Sequence, residues 1–467
     1  MAVLSTYNFG AGTLDALPGP GWIRELRRAA WDRFAASTLP TESEEIWRYS
    51  RIGQLDLGHY APLPEADGDR ELDPGALSPL VNELVRAAGT GSRLLVLDSR
   101  GRGVLSGPVP DDGVPDDGVS VLPYGGGPFH LGPTGDTDPG GSSRAASSAT
   151  IGGPPPEAWV ALNSALCPAP WRVKVPAGAH AQAPLVVVHW LEGDRSVVFP
   201  RLEIEMGRGS SASVVQIFAS PDHELLSIPV TEMSLGAGSR LQLAQVQLLG
   251  PRVWQLGNQS SWLDRDAALL SMTVAAGGYY ARARNSSVLG GPGGESQLLA
   301  CYFGSGKQMH DLRTIQHHAA PSSRSALLFK GAVAQEAHSV YSGLIRVEKG
   351  AKGTNAFQTN RNLVLSEGAV ADSVPNLEIE DNDVRCSHAS AVGPIDESQL
   401  FYLESRGVPT ERAQRLIALG FMDEVLEQFP VAGMRPVLRS VLADKLSEAG
   451  FGAGTPSASS GQAEVGE

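Results

Sequence analysis

Cysteine is scarce: Cys167, Cys301 and Cys386 are the only three among 467 residues. They are too few and too far apart for a disulfide framework, so a reducing cytoplasm is the expected compartment. Basic residues are also short, with 37 Lys and Arg against 51 Asp and Glu, a formal net charge of −14. That balance argues against nucleic acid or an anionic membrane surface as the main partner. No apolar run approaches the roughly 18 residues of a membrane span. The start, MAVLSTYNFGAGTLDALPGPGW, has no basic stretch followed by an apolar one, so no secretory signal is expected. The length allows two or three domains, or one large core with appendages.

The first part of the chain reads as helical. GWIRELRRAAWDRFAAS places Trp22, Leu26, Ala29, Ala30 and Phe34 near helical spacing, and LPTESEEIWRYS ends in a cluster of Ile46, Trp47 and Tyr49. A short helix at ALSPLVNELVRAAG and a buried strand at SRLLVLDS complete an expected N-terminal helical (α/β) domain over 1–112. Residues 113–158 turn rich in Gly, Pro, Asp and Ser and read as a linker, and 450–467 read as a disordered tail.

The middle carries the strongest signal. Turn-forming residues recur as Gly178, Gly207/Gly209, Gly236/Gly238, Asp264/Asp266, Gly293/Gly294, Pro321/Ser322, Gly350/Gly353 and Asp381/Asp383. The first members stand 29, 29, 28, 29, 28, 29 and 31 residues apart, and each turn is followed by a strand-like run such as ASVVQIF or SALLFKGAV. A fixed period with two or more strands per repeat suits a solenoid, in which stacked coils share a core that no single coil could bury. We therefore expect a mainly β protein with a right-handed parallel β-helix over 171–394. A β-sandwich is the alternative that turn spacing alone permits. The C-terminal segment, 395–449, reads as three helices. Asp396 and Gln399 form a capping box, Gly407 is a stop, and Ala413, Leu416, Ile417, Phe421, Val425, Leu426 and Phe429 make one broad stripe. Such an appendage is expected to close the solenoid's end, and equally suits a docking partner.

Few motifs carry chemistry. GSGKQ (304–308) resembles the end of a phosphate loop, but Cys301 stands where its first Gly belongs and Gln308 where the hydroxyl residue belongs. A turn between strands is the better reading, and ATP hydrolysis by this chain is not expected. His310, His317, His318 and His338 cluster without Cys or carboxylate at metal-finger spacing. Glu378 and Glu380 read as solvated rather than as an acid/base pair. Cys386 and His388, in NDVRCSHASAVG, project to one side if the stretch is extended. They could be part of a metal site, a catalytic pair, or a small buried thiol beside a surface imidazole. Three cysteines cannot supply four thiolates, so an iron–sulfur cluster here would need ligands from a second chain. Cys167 and Cys301 are assigned to packing.

Residues 328–421 resemble the core of the SufB/SufD family, the scaffold subunits of the Suf iron–sulfur cluster assembly system. The most specific stretches are PNLEIEDNDVRCSHA and GPIDESQLFYLESRG, and LPTESEEIWRYS is similar to an N-terminal segment of the D-type subunit. The B-type subunit carries a cysteine where Asn360 stands and a Glu where His388 stands, so the resemblance is to the SufD type. Ala389 departs from the family's usual Gly. The resemblance implies a non-catalytic scaffold that pairs with a SufB paralogue through the β-helices and docks the SufC ATPase through its C-terminal helices. It implies His388, with Cys386 beside it, as one chain's share of a site for iron or a nascent cluster. It says nothing of a flavin. A SufB-type scaffold that builds clusters alone is one alternative, against which Asn360 speaks because an amide offers no thiolate. A β-helix polysaccharide lyase or hydrolase is the other. Such enzymes need acidic clusters, and the carboxylates here are scattered.

Overall fold

The computed structural model describes residues 8–63, 77–107, 118–123 and 158–451. Most of the expected linker and the tail beyond Phe451 lie outside these residues.

The repeat originates in its turns. Gly178, Gly209, Gly238, Asp266, Gly293, Ser322 and Gly353 adopt positive φ between 54° and 74°, one in each coil. The left-handed conformation costs an ordinary residue about 1–2 kcal/mol, which is why glycine holds five of these seven positions. Each of these residues donates its N–H one coil onward: Gly209 to Ala237, Gly238 to Arg265, Asp266 to Pro292 and Gly293 to Pro321. The turns therefore form a ladder of their own.

Between the turns, strands pair in parallel. Register partners Ser211, Arg240, Ala268, Glu295, Arg324, Asn355 and Arg385 stand 27 to 31 residues apart. One sheet stacks eight parallel strands from Leu185–Trp190 to Val384–Gly393. The other runs from Trp171–Val175 to Val370–Ile379. The expected parallel solenoid is thus observed. Its N-terminal end is finished by antiparallel strands: Gly103–Ser106 pairs with Arg93–Leu97, and Ser120–Pro123 pairs with Trp171–Val175. The C-terminal end has no such finish among the described residues.

Helices line both flanks. We label them α1 (Ala11–Ala16), α2 (Gly21–Ala36), α3 (Pro79–Ala87), α4 (Ala158–Leu166), α5 (Glu397–Ser405), α6 (Thr410–Leu426) and α7 (Arg435–Glu448). On one flank Ala30, Phe34, Trp47, Trp159 and Leu162 pack on outward side chains of the sheet that ends in Val370–Ile379, including Leu226, Trp254, Tyr280 and Met309. The buried stripe of α2 is Ile23, Arg27, Ala30 and Phe34, while Leu26 and Ala29 face solvent, contrary to expectation. Arg27 is accommodated because its guanidinium donates to the carbonyls of Pro18, Cys167 and Pro168 at 2.7, 2.8 and 2.8 Å.

On the other flank α6 and α7 bury Leu419, Met422, Leu438 and Leu442 against Val246, Val274, Cys301 and Ala332. The C-terminal helices therefore cover the side of the sheet that ends in Val384–Gly393 and do not close the solenoid's end. Their outward strand residues form a continuous apolar strip along several coils, which a helix pair can bury and a single terminal coil cannot offer. Asp396 caps α5 as expected, accepting from the N–H groups of Ser398 and Gln399, and Gly407 follows with φ of 82°. No helix among the described residues is long and apolar enough to cross a membrane.

Burial pushes three imidazoles, those of His189, His310 and His318, down to about 4. In an unfolded chain they would protonate near 6.5. Their depressed folded values mean that the unfolded state binds more protons as pH falls from about 6.5 toward 4, so stability drops over that window. Each contributes on the order of 3 kcal/mol to the full loss. The urea midpoint is expected to be clearly lower at pH 5 than at pH 7. In His189→Phe, whose ring keeps the stack on Phe218, the pH slope is expected to flatten. Equal midpoints at the two pH values would refute this account.

Candidate functional site

The last coil consists of Val370–Ile379 and Val384–Gly393, each the terminal strand of its sheet. Residues paired across a parallel sheet share a face. Ala356, Gln358 and Asn360 of Thr354–Val364 are buried and point into the solenoid, and their partners are Cys386, His388 and Ser390. The thiol and the imidazole do project to one side, inward, at the mouth of the unfinished end.

Their depths differ. Cys386 is half-buried and packs with Val384 and Leu377 against Ile345, Val347 and Ala356, and burial raises its thiol pKa. His388 is exposed. Ser390 donates to Ser373 across the mouth at 2.7 Å, joining the two terminal strands.

Beneath this row lies a floor of uncharged polar groups. Gln358 Oε1 accepts from the Tyr341 hydroxyl at 3.1 Å, and the same hydroxyl lies 3.2 Å from that of Thr314. Tyr302 donates to Asn362 Oδ1 at 2.6 Å, Asn362 donates to Asn360 Oδ1 at 2.8 Å, and Asn360 donates back to Tyr302 at 3.2 Å. Two glycines make room for these phenols. A Cβ on Gly331 would stand 1.9 Å from the Tyr302 ring, and one on Gly343 would stand 2.1 Å from the Tyr341 hydroxyl. Asn360 is thus a bonded interior residue and has no thiolate to lend.

The other sequence motifs do not converge on this mouth. GSGKQ forms the turn between Glu295–Gly304 and Met309–His318. The histidines divide by strand parity. His310 and His318 point inward, one to the Gly277 carbonyl and the other to the Ser323 and Ser325 hydroxyls. His317 and His338 lie on the other face and pair with Glu348 at 2.7 Å and Asp372 at 2.6 Å. Glu378 and Glu380 are exposed. Among the described residues, no three His, Cys, Asp or Glu side chains gather as a metal would require. The Cys386–His388 pair is therefore at most half of a ligand set.

Sequence reasoning passed over several buried charges. Asp311 is buried, which alone would raise its carboxyl pKa, but the Arg282 and Arg313 guanidiniums hold it low. Tyr280 donates to it at 2.7 Å, and Arg282 lies 3.7 Å from the centroid of the Trp47 ring. The motif LPTESEEIWRYS thus supplies the aromatic lid of a buried ion cluster. Lys330 and Lys445 are likewise drawn in from opposite elements, Lys330 toward Glu424 of α6 and Lys445 of α7 toward the Ala276 carbonyl. Isolated charged residues in amphipathic segments read as solvated, so no pattern marks them.

Known proteins resemble this chain in sequence. The family model described as "SUF system FeS cluster assembly, SufBD core domain" matches residues 189–421. An iron-sulfur cluster assembly SufBD family protein of Mycobacterium leprae is 38% identical over 224 residues, 46% of this chain and 57% of that one. In a Mycobacterium tuberculosis relative the match takes in 48% of its length, so the chain spans about half of these relatives. The SufD protein of Escherichia coli is 24% identical over 413 residues, 87% of this chain and 89% of that one. The SufD protein of Bacillus subtilis is 29% identical over 290 residues, 61% and 66% respectively.

The three thiols sit in distinct surroundings. Burial pushes Cys167 up to about 12 and raises Cys301 as well, while Cys386 borders the open mouth. Because the thiolate is the reactive form, a thiol-specific chromogenic reagent at pH 8 is expected to modify one cysteine in the native chain and the other two only on unfolding. Loss of the native signal in Cys386→Ser identifies it. Fast reaction of two or three thiols in the folded chain would contradict the packing described.

Proposed function

Because this chain is a member of the SufB/SufD family, of the SufD type, we propose that it is a non-catalytic scaffold subunit of the cytoplasmic Suf iron–sulfur cluster assembly system. In this reading its unfinished solenoid end pairs with a SufB paralogue, and Cys386 and His388 form one side of a site where iron or a nascent cluster, the system's cargo, is held. The observation that carries it is the coincidence of two features. The only inward-facing Cys–His pair among the described residues lies on the terminal strand, and that strand has one unpaired edge.

A strand edge of free N–H and C=O groups is a template for another strand. An added strand would extend the sheet and set its own inward side chains beside Cys386 and His388. The missing ligands then come from the partner. The uncharged floor of Gln358, Asn360 and Tyr302 offers no carboxylate to neutralise a cation, so thiolates or carboxylates of the partner would balance the charge. Cys386, with its raised thiol pKa, must release its proton as it binds metal, and loading is coupled to that release.

The C-terminal helices supply the second surface. Helix α5 buries no residue, and Phe401 and Tyr402 on it are 71% and 59% exposed. Apolar side chains so exposed favour a protein partner, and the SufC ATPase is the one that this family reading names. ATP hydrolysis then belongs to that partner.

Co-expression with a cysteine-bearing SufB paralogue and SufC tests the reading. The chain is expected to co-purify with both. His388→Ala is expected to leave co-purification intact while cutting cluster formation at least about tenfold, the scale on which loss of a metal ligand is felt. Unimpaired maturation of cluster enzymes in that variant would reject the site. Failure to capture either partner would reject the scaffold reading itself.

A further inference from the structure

The turn 304–308, set aside as a phosphate loop, is held from both flanks of the solenoid. It stacks on the turn 276–279 of the previous coil, to which Gln308 Nε2 donates at the Gly278 carbonyl, 3.0 Å away. From the N-terminal flank, Arg51 donates to the Lys307 carbonyl and lies 5.2 Å from the centroid of the Tyr279 ring. The Tyr279 hydroxyl donates to Gln54 at 3.4 Å. From the C-terminal flank, Lys445 of α7 donates to the Ala276 carbonyl and, at 2.7 Å, to Gln308 Oε1.

One carboxamide is therefore the joint. Gln308 takes the Lys445 ammonium on its oxygen and returns its nitrogen to the neighbouring turn, while the backbone beside it carries Arg51. Lys445 is an expensive residue to place here: burial pushes its ammonium down to about 8. An apolar side chain of similar length would fill the space beside Phe303 without that penalty, so helix docking alone does not call for a lysine. A second lysine, Lys330, already ties α6 to the sheet through Glu424 and the Phe421 ring. What Lys445 adds is a grip on the turn that Arg51 holds from the other side.

We propose that the turn 304–308 is a mechanical coupler through which α7 and the segment 45–55 stabilise one another across the solenoid. If the C-terminal helices are displaced by a partner, a step that rests on the function proposed above, the coupler carries that displacement to the opposite flank. The coupling itself is a property of the isolated chain.

Hydrogen exchange on the full-length protein tests it without any partner or metal. Lys445→Met keeps the apolar stem and removes the grip. The amides of Ser50, Gln54 and Leu55, which close local turns onto Trp47, Arg51 and Ile52, are then expected to exchange faster by roughly 3- to 10-fold, as loss of a hydrogen bond of ordinary net strength would give. Coupling is reciprocal, so Arg51→Ala is expected to quicken exchange in α7 by a similar factor. Lys330→Met, which loosens α6 without touching the turn, is expected to leave residues 50–55 unchanged. Should Lys445→Met not fold, Gln308→Ala removes the joint itself and is expected to loosen both segments. The proposal is overturned if Lys445→Met, or Gln308→Ala in its place, loosens α7 alone. It is equally overturned if Lys330→Met speeds residues 50–55 as much. Neither Cys386 nor His388 enters the measurement, so its failure leaves the scaffold reading standing.

Discussion

A coil of a parallel solenoid cannot satisfy itself. Its backbone groups point along the stack, and its inward side chains are covered only by the next coil, so every coil owes its stability to a neighbour. Seen this way, the two ends of the molecule are the places where the fold has a problem to solve. The N-terminal end solves it internally, by the antiparallel strands Gly103–Ser106 and Ser120–Pro123. The C-terminal end has no such finish among the described residues. Among the described residues Val384–Gly393 keeps one free edge, and the helices that follow turn back along the flank instead of covering it. An exposed edge of ten residues invites aggregation unless a specific partner occupies it.

The interior changes character toward that end. Early coils are filled by aliphatic side chains such as Val187, Ile204, Leu235 and Leu243. Later coils carry amides, phenols and hydroxyls, some of which bond one another, as in the ring of Tyr302, Asn360 and Asn362. Buried polar groups stabilise only when every member is paired, and such a network tolerates few alternatives in geometry. Gly331 and Gly343 are consequences of it: they stand where the phenols of Tyr302 and Tyr341 need space. The floor under Cys386 and His388 is therefore rigid, polar and neutral.

The repeat was legible because it rests on backbone stereochemistry. A left-handed turn needs Gly or a residue like Asp, and it recurs with the coil, so Gly209, Gly238, Asp266, Gly293 and Gly353 announce the period directly. That Cys386 and His388 share a side followed from period-two geometry, while the register with Ala356 and Gln358 shows that side to be the inner one. Strand parity also separates His317 from His318, which share no face although they are adjacent. Helix faces were less legible. Leu26 and Leu416 suggested buried stripes, yet both are exposed, while Arg27 is buried by three carbonyls that lie elsewhere in the chain. Which face a helix buries depends on the surface it meets, and that surface is assembled from distant coils. Lys445 and Lys330 illustrate the limit, because a buried lysine differs from a solvated one only in its tertiary partners.

These features bear jointly on how such a site would be controlled. If Cys386 and His388 are ligands as proposed, two of them over a neutral floor would bind a metal weakly, because neither coordination number nor charge would be complete. A partner strand on the free edge would change both at once, by adding ligands and by withdrawing the mouth from water, where electrostatic attraction strengthens. The helices on the flank reach the terminal strand through a short path: α6 is tied to Lys330, whose strand pairs with Thr354–Val364, which pairs with Val384–Gly393. A load on α6 would be felt at the mouth after two strand steps. In a close-packed solenoid, sheets shift as units because interiors are dense and transmit strain. Placing the helices on the flank therefore leaves the mouth free for a partner while keeping it within mechanical reach, which a cap over the end could not do.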